Sequence, residues 1–134
     1  MLQPKKRKHK KEFRGKMRGI SLKGSTLAYG DFGLQAVDRG WITSRQLEAA
    51  RKVIVKHTKR KGKTWLKVFP HKPVTAKSSE VKRGGGKGEI DRYVAVIKPG
   101  RVIFELGGLT EEVAKHALKL AAQKFPLKLR VISK

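Results

Sequence analysis

Residues 43–62 read TSRQLEAARKVIVKHTKRKG, and this stretch decides the first helix of the fold. Thr43 is a typical N-cap, and Gln46 three residues later completes a capping box. The apolar residues that follow recur every three or four positions, which is the period of a helix with one buried face. Gly62 is placed to end it. The stretch therefore predicts a helix over residues 44–60.

Strand patterns lie on both sides of this helix. Residues 27–37 hold the first apolar residues and glycine breaks, which predict a short strand and a turn. Residues 65–69 alternate as a strand does. Residues 93–97 are typical of a buried strand, and a Pro-Gly turn signal predicts that residues 102–106 pair back with them as a hairpin.

A second helix and a last strand complete the chain. Thr110 is an N-cap, and Glu111 and Glu112 follow in the first turn, where the helix dipole favours acids. Pro126 ends that helix, and residues 127–132 alternate as a half-buried strand. This order of elements predicts a single α+β domain, with a mixed or antiparallel sheet and two helices on one face.

Residues 71–91 form a predicted projecting loop, because they show no sustained periodicity. Glycines and cations coincide in it at residues 81–88, VKRGGGKG. The segment is not a nucleotide-binding P-loop, since Val81 stands where the first glycine belongs and Gly88 stands where Ser or Thr would bind magnesium. A flexible linker and a loop inserted into folded RNA both stay open. The second is favoured, because glycines permit close approach and cations attract phosphates.

The chain is strongly basic, with 34 Lys and Arg against 10 Asp and Glu and a net charge of +24. Residues 1–23 concentrate this charge and would repel themselves, so they predict an extended basic arm before a domain over residues 24–134. Such an arm is suited to a polyanion, because each neutralised phosphate releases counterions. The cations of the arm are Lys5, Lys6, Arg7, Lys8, Lys10, Lys11, Arg14, Lys16 and Arg18.

The first predicted helix carries a second group of cations. It contains one acid, Glu48, whereas an ordinary solvated helix face mixes both signs. A face that follows phosphates is favoured over a merely solvated one. Its members are Arg45, Arg51, Lys52, Lys56, Lys59 and Arg60.

Catalytic and metal chemistry find no support in the sequence. The absence of cysteine excludes disulfides and thiolate metal sites, and the four histidines lack the spacing of metal ligands. His57 and His116 are expected on or near core faces. The scattered acids and the lack of a nucleophile motif predict no enzyme, no catalytic residue, no metal and no cofactor. No apolar stretch approaches the length of a membrane span.

Aromatic side chains could stack on bases. Trp65 and Tyr93 fall in strand patterns and are expected in the core, so Trp41 and Phe32 are the favoured stacking candidates, ahead of Tyr29. The basic arm alone supports an RNA-binding protein and a DNA-compacting protein equally. The glycine-rich basic loop favours RNA, because binding to the grooves of duplex DNA rarely requires a long loop of this kind.

Six blocks along nearly the whole chain resemble the family of the sixteenth protein of the large ribosomal subunit, bacterial type. In chain order they are MLQPK (1–5), GDFGLQA (30–36), WITSRQLEAAR (41–51), VFPHKPVT (68–75), GKG (86–88) and YVAVIKPG (93–100). The resemblance implies an α/β-hammerhead type of α+β domain and a non-enzymatic protein that binds large-subunit (23S-type) rRNA. It also implies a place near the A-site tRNA and the peptidyl-transferase centre, with roles in late subunit assembly and tRNA positioning.

The same resemblance implies roles for the charged segments. The arm would thread rRNA, and the loop tip would point toward tRNA and the peptidyl-transferase centre. The residues of the tip are Lys82, Arg83, Gly84, Gly85, Gly86 and Lys87. Large-subunit rRNA, tRNA and neighbouring ribosomal proteins are the expected partners, with no membrane and no homo-oligomer. The expected location is cytoplasmic and ribosome-bound, in a bacterial cytosol or inside an organelle.

Overall fold

The structure, a computed structural model, describes residues 2–6, 8, 11–12, 15, 19–76 and 89–134. The described part of the chain has two helices and seven strands. The helices are α1 (Ser44–Thr58) and α2 (Glu111–Ala122). The strands are β1 (Phe32–Ala36), β2 (Gly40–Thr43), β3 (Lys63–Leu66), β4 (Lys72–Ala76), β5 (Glu89–Ile97), β6 (Val102–Gly107) and β7 (Leu129–Ser133).

The strands form two antiparallel sheets. A four-stranded sheet has the order β3-β6-β1-β7, and a three-stranded sheet has the order β2-β5-β4. In the larger sheet, Leu34 of β1 lies between Phe104 of β6 and Val131 of β7. The α+β class is confirmed, but its strands are divided between two sheets instead of one.

The predicted hairpin of residues 93–97 with residues 102–106 is wrong. β5 pairs with β2 and β4, whereas β6 pairs with β1 and β3. All six residues of β6 are buried, so this strand needs cover on both faces and partners at both edges. β1 and β3 occupy those edges and leave none for β5. The turn at Gly100, with a φ of +97°, thus leads from one sheet into the other.

The predicted loop over residues 71–91 is shorter than expected, because both of its ends are strands. β4 and the beginning of β5 pair across it, with Lys72 opposite Val94 and Thr75 opposite Ile90. Pro73 lies in β4, which is the edge strand of its sheet, where a residue without an N–H is tolerated. Residues 77–88, and with them the predicted loop tip, lie outside the described residues.

Helix α1 confirms its sequence prediction to within two residues. Thr43 Oγ1 accepts a hydrogen bond from the N–H of Gln46 at 3.2 Å, and Gln46 Oε1 accepts one from the N–H of Thr43 at 2.9 Å. At the other end, Lys59 and Arg60 have left-handed φ angles of 53° and 61°, which stop the helix before Gly62. The capping box therefore fixes where α1 begins.

The core lies between the helices and both sheets, and Ile42 and Ile97 of the three-stranded sheet belong to it. Helix α1 packs against α2, and α2 lies over β1 and β7. Alanines 114, 117 and 121 are fully buried and allow this close packing. His57 and His116 are exposed at the rim of the helix pair, with ring centroids 5.5 Å apart, so their expected place near the core is corrected.

The face of the four-stranded sheet opposite α2 is covered by residues 24–30, here called the covering segment. Gly24 O accepts from the N–H of Val102 at 2.8 Å, and Gln35 Nε2 donates to Ser25 O at 2.9 Å. Leu27 lies over Gly33, where a Cβ would come within 2.6 Å of Leu27 Cδ2. The glycine in β1 thus makes room for the segment that continues from the arm.

Candidate nucleic-acid interface

Five of the six cations predicted on the first helix lie around one groove on α1, here called the α1 groove. The groove has a volume of about 540 Å³, and Val55 forms its apolar part. The five side chains are exposed. They are Arg51, Lys52, Lys56, Lys59 and Arg60. Arg45 lies apart from them, in another groove with Arg92 and Tyr93.

The groove follows from helical spacing and from the way the helix ends. Lys52 and Lys56 are four residues apart and therefore project from the same side of α1. The left-handed turn at Lys59 and Arg60 then keeps the next two cations at the same end. The carbonyl end of a helix dipole also favours positive charge, so this end can hold several cations together.

Glu48 is the one acid of α1, and it pairs with a cation of the groove. Arg51 Nε donates to Glu48 Oε2 at 3.2 Å, and a second hydrogen bond joins Arg51 Nη2 to Glu48 Oε1. The hydrogen bond from Arg51 lowers the pKa of Glu48, and the same contact raises the pKa of Arg51. Glu48 therefore stays ionised at neutral pH and offsets part of the charge of the groove.

A second cationic groove, here called the inter-sheet groove, lies where β3 ends and β5 passes. It has a volume of about 580 Å³, and its cations include Lys67, Lys98 and Arg101. Arg101 Nη2 donates to Lys67 O at 2.7 Å, and Arg101 Nη1 donates to Lys23 O at 3.3 Å. Sequence reasoning missed this groove, because its cations come from separate segments and follow no shared period.

The base of the predicted arm contacts the domain beside the inter-sheet groove. Ser21 donates its N–H to Pro99 O at 2.8 Å, and Ser21 and Leu2 both contribute to the groove lining. Four predicted cations of the arm, Lys5, Lys6, Lys8 and Lys11, are exposed. The other five lie outside the described residues: Arg7, Lys10, Arg14, Lys16 and Arg18.

A buried carboxylate holds the covering segment on the sheet. Glu105 is fully buried, and its Oε1 accepts hydrogen bonds at 2.9 Å from the N–H groups of Ala28, Tyr29 and Gly30. Its Oε2 lies 3.7 Å from Lys67 Nζ. Burial opposes ionisation, but the three N–H donors and the lysine outweigh it and lower the pKa of Glu105. The sequence alone does not indicate that Glu105 holds the covering segment, because an acid inside a strand usually faces solvent.

Tyr29 is more exposed than any other Phe, Trp or Tyr in the described part of the chain, at 62%. Its ring stacks on Trp65, with centroids 5.9 Å apart and planes at 21°, and Lys67 Nζ lies 4.2 Å from the Tyr29 ring centroid. The favoured stacking candidates are less accessible. Phe32 packs against the core, and Trp41 is half-buried with Lys72 Nζ 5.2 Å from its ring centroid.

Metal and membrane sites receive no support from the described residues. Among them, no three His, Asp or Glu side chains are grouped so that they could hold a metal ion. In the same part of the chain, neither helix combines the length and the apolar character that crossing a bilayer requires.

A small α+β domain with two cationic grooves and a basic N-terminal segment defines a nucleic-acid-binding protein. Comparison with known proteins identifies the family within this class. The model of the family described as ribosomal protein L16p/L10e matches residues 4–132, and the chain belongs to that family. It is also similar to the large ribosomal subunit protein uL16c of Phaeodactylum tricornutum (strain CCAP 1055/1), with 52% identity over all of this chain and 97% of the relative.

Family membership establishes the general role. The chain is a structural constituent of the large ribosomal subunit and an RNA-binding protein of translation, and it is not an enzyme. It is bound to ribosomes, in an organelle or in the cytosol. The resemblance stated from the sequence is thereby confirmed.

Proposed function

We propose that the protein binds large-subunit rRNA through the α1 groove and the inter-sheet groove, with the basic arm extending the contact. The observation that carries this proposal is the α1 groove, where five exposed cations surround about 540 Å³ of open space. A row of cations four residues apart suits successive phosphates of one strand better than any single small anion. The net charge of +24 adds long-range attraction to the same partner.

The finer placement rests on family likeness and on the topology. Strands β4 and β5 form an antiparallel pair at the edge of their sheet, and residues 77–88 connect them. A basic segment carried by such a pair can reach beyond the body of the domain. We assign Lys82, Arg83, Gly84, Gly85, Gly86 and Lys87 to a contact near the A-site tRNA and the peptidyl-transferase centre. This contact would support late subunit assembly and the positioning of tRNA.

The proposal is tested by binding to purified large-subunit rRNA over a series of salt concentrations. A triple variant of the α1 groove, Lys52→Gln, Lys56→Gln and Lys59→Gln, removes three phosphate partners. We expect the log–log salt slope to become shallower by about two to three, and the affinity at about 0.1 M salt to fall roughly a hundredfold.

A matched triple variant controls for overall charge. Lys119→Gln, Lys124→Gln and Lys128→Gln also remove three exposed cations, but these lie on and after α2 and do not line the α1 groove. We expect this variant to bind nearly as the wild type does. Equal losses in the two triple variants would show that the net charge matters and the groove does not.

A competition experiment separates rRNA from DNA as the partner. Duplex DNA and an rRNA fragment are offered together at about 200 mM salt, where non-specific phosphate contacts are weakened. We expect rRNA to win, and the protein to co-sediment with large subunits in high-salt gradients. Equal competition by duplex DNA, together with a free pool of protein, would refute rRNA binding as the function.

A further inference from the structure

We propose that Tyr29 is a stacking site for an unpaired RNA base, with Lys67 beside it for a neighbouring phosphate. This inference rests on the proposed rRNA-binding function and adds a specific contact to it. Cationic grooves bind phosphates without regard to sequence, whereas an exposed ring selects a nucleotide that has left its helical stack. The site would therefore recognise a bulged or looped nucleotide.

Trp65 and Lys67 contact Tyr29 and leave much of its side chain exposed. Trp65 lies in β3, and Lys67 directly follows this strand. The two side chains project from the same side, opposite Leu66, which packs against the core. Both touch the Tyr29 ring, so they contact it from the sheet side. Tyr29 is nevertheless 62% exposed, so much of its side chain is accessible to a planar ligand.

The ring is held in this exposed position by the backbone beneath it. Glu105 Oε1 accepts the N–H of Tyr29 itself and those of both its neighbours, each at 2.9 Å. Gly30 lies so close to β6 that a Cβ there would come within 2.5 Å of Leu106 O. A residue whose backbone is fixed on both sides loses little backbone freedom when it binds, so this arrangement favours binding.

The charges around Tyr29 favour RNA over an apolar protein segment. Lys67 contacts the ring and also lines the inter-sheet groove, where Lys98 and Arg101 supply further positive charge. A nucleotide stacked on Tyr29 would carry its phosphate toward this groove. An apolar peptide on the same ring would make no use of this positive charge, so a neighbouring protein is the less suitable partner.

The test compares three variants of Tyr29 in the full-length chain, each checked for folding by circular dichroism. Tyr29→Ala removes the ring, Tyr29→Leu keeps an apolar cover over Trp65 without a planar face, and Tyr29→Phe keeps the planar ring. We expect Ala and Leu to weaken binding to large-subunit rRNA about tenfold, the size of one base stack, and Phe to bind within about twofold of wild type.

The salt dependence separates stacking from charge. Because no cation is removed, the log–log salt slope of Tyr29→Ala should equal that of the wild type, unlike that of the α1 groove triple variant. Val113→Ala is the control, since Val113 is an exposed apolar side chain on α2, away from the Tyr29 side of the sheet. It should bind rRNA as the wild type does.

The outcomes distinguish this inference from the function on which it rests. If the wild type binds rRNA with a steep salt slope and folded Tyr29→Ala and Tyr29→Leu bind equally well, the stacking site is refuted and the rRNA-binding proposal stands. If the two variants keep rRNA affinity but lose a neighbouring protein from reconstituted subunits, Tyr29 is a protein contact and the stacking site is also refuted. If the wild type shows no salt-dependent rRNA binding, both proposals fail.

Discussion

The α1 groove and the covered face of the four-stranded sheet both contain charged side chains, but they are built in opposite ways. In the α1 groove the charged groups are exposed side chains on one helix, and Glu48 and Arg51 pair at the surface. On the sheet, Glu105 is fully buried and holds three backbone N–H groups of a segment more than 70 residues away in sequence. The α1 groove depends on the charge of its side chains, whereas the covered face depends on the geometry of its hydrogen bonds.

This difference predicts how each surface responds to substitution. Exposed ion pairs contribute little to folding, because water screens them and ordering two long side chains costs entropy. A buried carboxylate behaves differently, since removing it leaves its hydrogen-bond donors buried without an acceptor. Substitutions in the α1 groove should therefore change binding and leave stability nearly unchanged. Substitutions at Glu105 should change stability first.

The largest effect is expected for Glu105→Ala. The change leaves the N–H groups of Ala28, Tyr29 and Gly30 without their acceptor and Lys67 without its carboxylate. We expect the free energy of unfolding to fall by about 3–5 kcal/mol, measured by urea denaturation. Protease cleavage within the covering segment should also become faster, because that segment loses its attachment to the sheet.

Glu105→Gln serves as the matched variant for this prediction. Its amide oxygen can still accept from the three N–H groups, but the negative charge beside Lys67 is lost. It should be less destabilising than Glu105→Ala. If Glu105→Ala unfolded at the same urea concentration as the wild type, the covering segment would be held by its other contacts. The proposed difference in stability effects between the two surfaces would then be refuted.

A smaller effect is expected when the wild-type protein is acidified. The folded pKa of Glu105 is lowered, so the unfolded chain takes up this proton at a higher pH than the folded chain does. The stability that Glu105 contributes is thus complete above its unfolded pKa of about 4.3, and it is lost as the pH falls through the folded pKa. Urea denaturation between about pH 6 and pH 3 should show this loss.

The substitution Glu105→Gln isolates the contribution of this group to the acid response. It should flatten the pH dependence of unfolding. The double variant Glu48→Gln/Glu111→Gln should change it less, although both acids also have lowered pKa values, because both lie at the surface beside their partner cations. A greater flattening in the double variant would mean that surface pairs dominate the acid response.

Local signals in the sequence were sufficient for the helices. The capping box of Thr43 and Gln46 and the N-cap at Thr110 define helix starts from residues within one turn, and the structure confirms both. The partners of the strands could not be read in the same way. β5 and β6 follow each other through a turn, but their pairing depends on β1 and β3, which lie elsewhere in the chain.

The candidate interface likewise has parts that local sequence signals predict and parts that depend on distant segments. The α1 groove was largely predictable, because three of its cations lie on one helix and the other two follow it directly. Arg45 lies outside this groove, at the helix start, in a groove with Arg92 and Tyr93. The site at Tyr29 was not singled out, because it combines Tyr29 with Trp65 and Glu105 from two distant strands. Its importance depends on tertiary contacts that carry no periodic signal.

The smallest effect is expected for Glu48→Gln, which tests the charge-based surface with a single side chain. The change frees Arg51 from its acid and should raise rRNA affinity about twofold at 0.1 M salt, with a slightly steeper salt slope and unchanged thermal stability. Glu111→Gln is the matched control, since Glu111 also pairs with a lysine, Lys115, but on α2. It adds the same charge outside the α1 groove and should leave affinity nearly unchanged. An equal rise in both variants would show that rRNA responds to the net charge of the protein, and the α1 groove would lose its special role.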